Sequence, residues 1–157
     1  MISPLVRYTI FAAGLVLAQL LPLQADLEKS PYNADVQVKT LLRTSTNSAG
    51  QPIEYPHEGT PEVSILVVTI APGKQTGWHR HPVPLFGYVL SGQVTVHLAH
   101  GDKHTFHQGD ALAEAVNLLH NGVNEGTVPT KLLIVVAGQK DVPFTVKAQE
   151  GRTKFPN

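Results

Sequence analysis

Short β-branched runs separated by glycine and proline are the feature that most constrains the fold of this chain. The sequence has 13 Gly and 12 Pro among 157 residues, and many of them lie between short apolar or alternating runs. Such runs, repeated every ~8–12 residues, are typical of all-β sandwiches and barrels. The predicted strands are 36–41, 62–70, 85–90, 93–98, 103–107, 111–116, 131–137 and 143–146, and 44–60 is predicted to be a loop. We therefore predict an all-β fold with little helix.

The composition favours one folded domain and excludes several classes of function. Apolar residues make up 42% of the chain and charged residues 15%, which is too apolar for a disordered protein. Lys and Arg together number 12, as do Asp and Glu, so no basic surplus is present to bind a phosphate backbone. We accordingly expect no nucleic-acid partner. The absence of cysteine excludes disulfides, thiol catalysis and thiolate metal sites.

The first 25 residues have the pattern of a secretory signal peptide. Arg7 is their only charged side chain, residues 8–21 are almost wholly apolar, and Ala25 is a small residue at the predicted cleavage site before Asp26. The alternative is an uncleaved membrane anchor, but the apolar run is shorter than the ~20 residues that a spanning helix needs. We expect an exported protein, periplasmic or secreted, with no membrane contact after cleavage.

The chain is therefore divided into four predicted segments. They are a signal peptide at 1–25, an N-terminal strand and loop at 26–60, a barrel at 61–148 and a C-terminal tail at 149–157.

Histidine is concentrated in one part of the chain. Seven of the eight histidines lie between His79 and His120. His79 and His81 are two residues apart, a spacing that places both side chains on one face of a strand. Together with His120 they would offer three neutral imidazoles to one divalent metal, and such a donor set suits Fe, Zn, Mn or Ni. The alternative is that a His-x-His pair merely decorates the surface.

The residues around these histidines resemble the two motifs of the cupin superfamily. In the first motif Gly73, His79, His81 and Gly92 match, whereas Leu85 occupies the position of the usual glutamate. In the second motif Gly109, His120 and Asn124 match, whereas Ala115 and Asn117 replace the inner proline and glycine. The resemblance covers Gly73–Asn124.

This resemblance implies a small jelly-roll-like β-barrel with His79, His81 and His120 pointing inward. The predicted site is similar to that of three-histidine cupins, which include dioxygenases. The alternative is a cupin that has lost its metal. Without the glutamate, the full +2 charge would stay on the metal and would favour an anionic or oxygen-rich ligand. The apolar side chains of Trp78, Leu85 and Phe86 are expected to line the substrate pocket.

Three further positions have a predicted role. Glu114 shares strand parity with Leu112, so on an inward face it would be a buried carboxylate with a raised pKa and a candidate catalytic base or partner of a ligand. Its alternative is an outward position or a salt bridge to a neighbouring strand. Arg80, between two ligands, is predicted to point away from the metal, and Asn124 to cap a loop.

Four other histidines, His97, His100, His104 and His107, lie on one predicted hairpin. If His100 and Gly101 form a two-residue turn, His97 and His104 pair directly across the strands; a turn one residue later undoes that pairing. We expect them to face solvent, with a second surface metal site as the alternative.

Three functions are compatible with this sequence. The first is a metalloenzyme with dioxygenase, lyase or isomerase chemistry on a small molecule. The second is a module that binds a small ligand or metal without turnover, and the third is a metal-free structural homodimer.

Overall fold

The computed structural model describes residue 33 and residues 35–149. The chain divides into two compact units, 1–38 and 39–157. The predicted signal peptide lies outside the described residues. The strand predicted at 36–41 is wrong: Val36, Val38 and Leu41 are exposed and belong to no strand. Among the described residues, no strand pairs with this segment, so its alternation with polar residues does not make it a strand.

The second unit is a two-sheet β structure, which confirms the all-β prediction. Its strands among the described residues are β1 Pro61–Ile70, β2 His79–Arg80, β3 Leu85–Ser91, β4 Gln93–Leu98, β5 Lys103–His107, β6 Ala111–Ala113, β7 His120–Val123, β8 Thr130–Gln139 and β9 Val146–Lys147. One sheet has the order β1-β8-β3-β6 and the other the order β5-β4-β7-β2-β9. The pairings within both sheets are antiparallel.

Two strands have bounds that differ from the prediction, and the early end of β6 affects the functional site. β6 ends at Ala113 rather than at 116, because the chain leaves β3 there and Val116 forms a bridge with His81 of the opposite sheet. Residues 114–116 therefore cross between the sheets. The last strand is β9 at Val146–Lys147, later than the predicted 143–146. The predicted loop at 44–60 is confirmed; it contains only an isolated bridge between Thr46 and Pro52.

The core lies between the two sheets and consists of aliphatic side chains. Its buried members are Ile70, Val83, Leu85, Val89, Val94, Val96, Leu98, Leu112, Ala115, Leu132, Ile134 and Val136. All of them except Val83 and Ala115 lie on strands, where inward-facing side chains occupy alternate positions, as the pleat of a strand requires. None of the described residues forms a helix of the length and apolarity needed to span a bilayer.

Candidate metal centre

Strand pairing brings the three predicted histidine ligands together. His79 on β2 pairs directly with His120 at the start of β7, and His81 follows β2 by one residue. The three imidazole centroids are 4.5–4.9 Å apart. One nitrogen from each ring lies within 4.8 Å of the other two, so the three side chains can hold one metal ion. Away from this cluster, the described residues hold no other group of three or more His, Asp or Glu side chains with such spacing.

Each imidazole is oriented by a hydrogen bond from its Nδ1 atom to a backbone carbonyl. The pairs are His79 with Gly77 at 2.7 Å, His81 with Phe144 at 2.7 Å and His120 with Leu118 at 2.9 Å. A carbonyl oxygen only accepts hydrogen bonds, so Nδ1 must carry the hydrogen in all three rings. In the neutral rings each Nε2 then keeps its lone pair, which is the state that binds a metal.

The buried nitrogens of this cluster fit a metal site. His120 is 2% exposed, and in the part of the chain that the structure describes its Nε2 has no hydrogen-bond partner. A buried polar atom without a partner is costly, and a metal ion would satisfy it. Burial lowers the pKa of His79 below its ordinary value and so favours the neutral ligand form of this ring.

Glu114 points into the same cluster, in agreement with the inward alternative. Its Oε2 lies 3.3 Å from the Nε2 of His81 and 3.4 Å from the Nε2 of His120. Burial on its own would raise the pKa of Glu114, but His120 and His81, when their rings carry a proton on Nε2, donate hydrogen bonds and positive charge to the carboxylate and lower this pKa to about 2. The prediction of a raised pKa is therefore wrong. Strand parity indicated that Glu114 faces inward but not that two imidazoles lie beside its carboxylate.

A cavity of about 210 Å³ lies between the sheets, and the cluster forms part of its wall. Leu85 lines it, as predicted. Trp78 and Phe86, which were predicted to line it too, are not part of its wall. Phe86 alternates with Leu85 along β3, and its ring instead faces that of Tyr55, with the centroids 6.4 Å apart.

The family comparison agrees with this architecture. Residues 66–136 match the family described as the cupin domain. The match covers 71 of the 157 residues and lies within the part of the chain that forms the two sheets. Among curated proteins, none matches the chain.

Solved structures similar to this chain cover only part of it. DMSP lyases are 23% identical, with a TM-score of 0.49 over 55% of this chain and 44% of theirs. Oxalate oxidase is 22% identical, with a TM-score of 0.48 over 55% of this chain and 46% of its own. An uncharacterized conserved protein with a double-stranded beta-helix domain from Klebsiella pneumoniae is 22% identical, with a TM-score of 0.49 over 62% of this chain and 91% of its own. The chain therefore spans less than half the length of the first two.

Two residues within the two sequence motifs have the predicted structural roles. The Nη1 of Arg80 donates a hydrogen bond to the Oδ1 of Asn117 at 2.6 Å, and Arg80 does not line the cavity. Asn124 is fully buried, and its Nδ2 donates to the carbonyls of Ile70 and Val128. Asn124 therefore ties together the loop that follows β7.

The hairpin histidines are not arranged as a site. His97 pairs with Lys103, and His104 pairs with Val96, so the predicted direct pairing of His97 with His104 is wrong. The turn contains three residues, 99–101, one more than a His100-Gly101 turn would have, which shifts the register by one.

Sequence reasoning missed the residues that reach the cavity from the C-terminal segment. Phe144, Thr145 and Lys147 line it, and the carbonyl of Phe144 orients His81. A backbone carbonyl has no signature in sequence. The only available signal was the predicted edge strand at 143–146, which places this segment near the barrel without specifying its partner.

Proposed function

We propose that this chain is an exported mononuclear metal-binding cupin that acts as a metalloenzyme on a small anionic or oxygen-rich molecule. The observation that supports this most strongly is the convergence of three Nδ1-anchored imidazoles on the wall of the cavity between the sheets. Anchoring of this kind orients the lone pairs before a metal arrives, which reduces the cost of binding.

The cavity favours a small ligand with at least one oxygen donor. Its volume of about 210 Å³ is below the range of ~300–1,000 Å³ that is usual for drug-sized ligands. Most of the surface of its wall is apolar, which disfavours water and strengthens the attraction between a metal and an anion. Lys147 also lines it and offers a positive charge to an anionic group.

His79, His81 and His120 would hold the metal. A divalent ion supplies Lewis-acid chemistry, and iron would also allow chemistry with dioxygen. The protein's own contribution is to keep the ligand nitrogens unprotonated and to surround the substrate with apolar side chains such as Leu85. The reaction is of the dioxygenase, lyase or isomerase type.

Turnover by the metal-loaded protein tests this function. Protein loaded separately with Fe, Zn, Mn or Ni would be assayed for oxygen uptake and product formation against a panel of keto acids, diketones, hydroxy acids and thiols. We expect turnover with at least one metal and none with His120→Ala. Ligand binding without turnover under every condition would instead identify a binding module.

Export is part of the proposal and has a direct test. The pattern of residues 1–25 supports cleavage after Ala25. The intact mass of protein recovered from the exported fraction should correspond to a chain that begins at Asp26. A mass that includes residues 1–25 would contradict cleavage.

We also propose that the barrel forms a homodimer through β1. This strand is an edge of its sheet, and its outward side chains Val63, Ile65 and Val67 are 63–67% exposed. A long apolar edge strand has unpaired backbone groups that can bond to the edge strand of another chain. Two identical edges that pair in antiparallel orientation form a closed two-fold dimer. Light scattering should give a dimer for the wild type and a monomer for Ile65→Asp, with His104→Asp on β5 as the exposed control. A monomeric wild type would contradict this assembly.

A further inference from the structure

We infer that Glu114 supplies a fourth ligand to the metal held by His79, His81 and His120, an inference that rests on the proposed metal site. Its carboxylate oxygen faces the nitrogens of two of these rings from a neighbouring segment of chain.

The hydrogen-bonding atoms that face one another in the cluster are suited to binding a cation. The Nδ1 atoms of His81 and His120 donate to backbone carbonyls, so in the neutral rings both Nε2 atoms are acceptors. An ionised Glu114 is an acceptor as well. Three acceptors thus face one another in a buried space, and a metal ion between them turns their mutual repulsion into attraction.

The distances agree with shared coordination better than with direct hydrogen bonding. A charge-assisted N–H···O bond is ~2.7–2.9 Å long. The separations here are 3.3 and 3.4 Å. In a tetrahedral zinc site with bonds of ~2.0–2.1 Å, neighbouring ligand atoms are about 3.3–3.4 Å apart.

The backbone fixes this position of Glu114. Its N–H donates to the carbonyl of Leu85 at 2.9 Å, and two residues later Val116 bridges to His81. The side chain is 14% exposed, which leaves it little freedom to leave the cluster. The carboxylate therefore enters the site next to Leu85, from the segment that crosses between the two sheets.

This ligand changes the charge that a substrate meets. Three neutral imidazoles would leave +2 on the metal, whereas an additional carboxylate reduces the net charge of the site to +1. A singly charged or neutral oxygen-rich ligand then matches the site better than a dianion, and Lys147 can pair with a single carboxylate at the cavity wall.

The test compares metal affinity in variants that keep the size of the side chain. Affinity for Zn²⁺ and Co²⁺ would be measured by chelator competition, together with the visible spectrum of the Co²⁺ form. We expect Glu114→Gln to lose affinity by more than the ~10–100-fold typical for an outer partner of a ligand and to change the Co²⁺ spectrum. Glu125→Gln is the matched control, because Glu125 lies 3.4 Å from the Nε2 of His97 outside the cluster, and it should change neither.

A paired exchange keeps the inference testable if Glu114→Gln folds poorly. Because Leu85 and Glu114 are joined by a backbone hydrogen bond, Leu85→Glu combined with Glu114→Leu moves the carboxylate to the adjacent strand. We expect this exchange to regain at least ten-fold in affinity over Glu114→Leu alone. Unchanged affinity and spectrum in Glu114→Gln, with tight binding in the wild type, would overturn the inference and leave the three-histidine site intact. A wild type without measurable affinity would instead contradict the proposed function itself.

Discussion

Two groups of histidines in the same five-stranded sheet have opposite surroundings. His120 on β7 pairs with Leu98 on β4 and is buried, whereas His97, one residue before Leu98, lies beside the half-exposed Glu125. Since side chains alternate between the faces of a strand, one step in register separates the cavity from the outer surface. The number of histidines in a segment therefore says little about metal binding; strand parity and the partner of each Nδ1 decide it.

The largest difference in metal content between variants of the two groups is expected for His120. His120→Ala removes the buried Nε2 that has no hydrogen-bond partner among the described residues, so metal content should fall below about 0.1 equivalent. Metal analysis of the purified variant measures this. Full stoichiometry in His120→Ala would show that the inner histidines do not form the site.

A smaller effect is expected where a backbone carbonyl orients a ligand. Gly77 has φ +78° and accepts the hydrogen bond from the Nδ1 of His79, whereas Gly101 has φ +104° in the hairpin turn. Alanine has free space at both positions but is strained by the positive φ, at a cost of about 1–2 kcal/mol in the free energy of unfolding.

Metal affinity separates these two glycines. Gly77→Ala should weaken metal binding by about ten-fold because the orientation of His79 changes, and Gly101→Ala should leave it unchanged. Chelator competition and thermal unfolding measure the two effects. An equal loss of affinity in both variants would mean that general destabilisation, and not ligand orientation, controls binding.

The smallest effect is expected on the outer surface. His97→Ala removes an imidazole that is 23% exposed and lies beside Glu125, which is 49% exposed, and partly exposed ion pairs of this kind contribute about 0–1 kcal/mol. Metal content should equal that of the wild type, and the free energy of unfolding should change by less than about 1 kcal/mol. A loss of metal from this variant would contradict the division between the two groups.

The sequence was sufficient to predict the barrel and the inner histidines because both follow from local patterns. Strand β1 is a β-branched run that ends at a Pro-Gly turn, and His79 and His81 have the spacing of one strand face. The strand at 36–41 failed because alternation alone does not provide a partner. The placement of Phe86 failed because Leu85 and Phe86 were assigned to one pocket although neighbours on a strand face opposite ways.

The surroundings of Glu114 could not be predicted, because they depend on a crossing between sheets. Strand periodicity suggested that 111–116 continues as one strand, whereas the chain leaves β6 after Ala113. The carboxylate meets His81 and His120 only through contacts between segments that are distant in sequence. The carbonyl of Phe144, which orients His81, is equally distant along the chain.

Elemental analysis of wild-type protein purified without a histidine tag tests the central claim most directly. The account predicts one equivalent of a divalent transition metal per chain, removed by a chelator and restored by adding the metal back. Protein that contains no metal, and takes up none from Fe, Zn, Mn or Ni solutions, would contradict it.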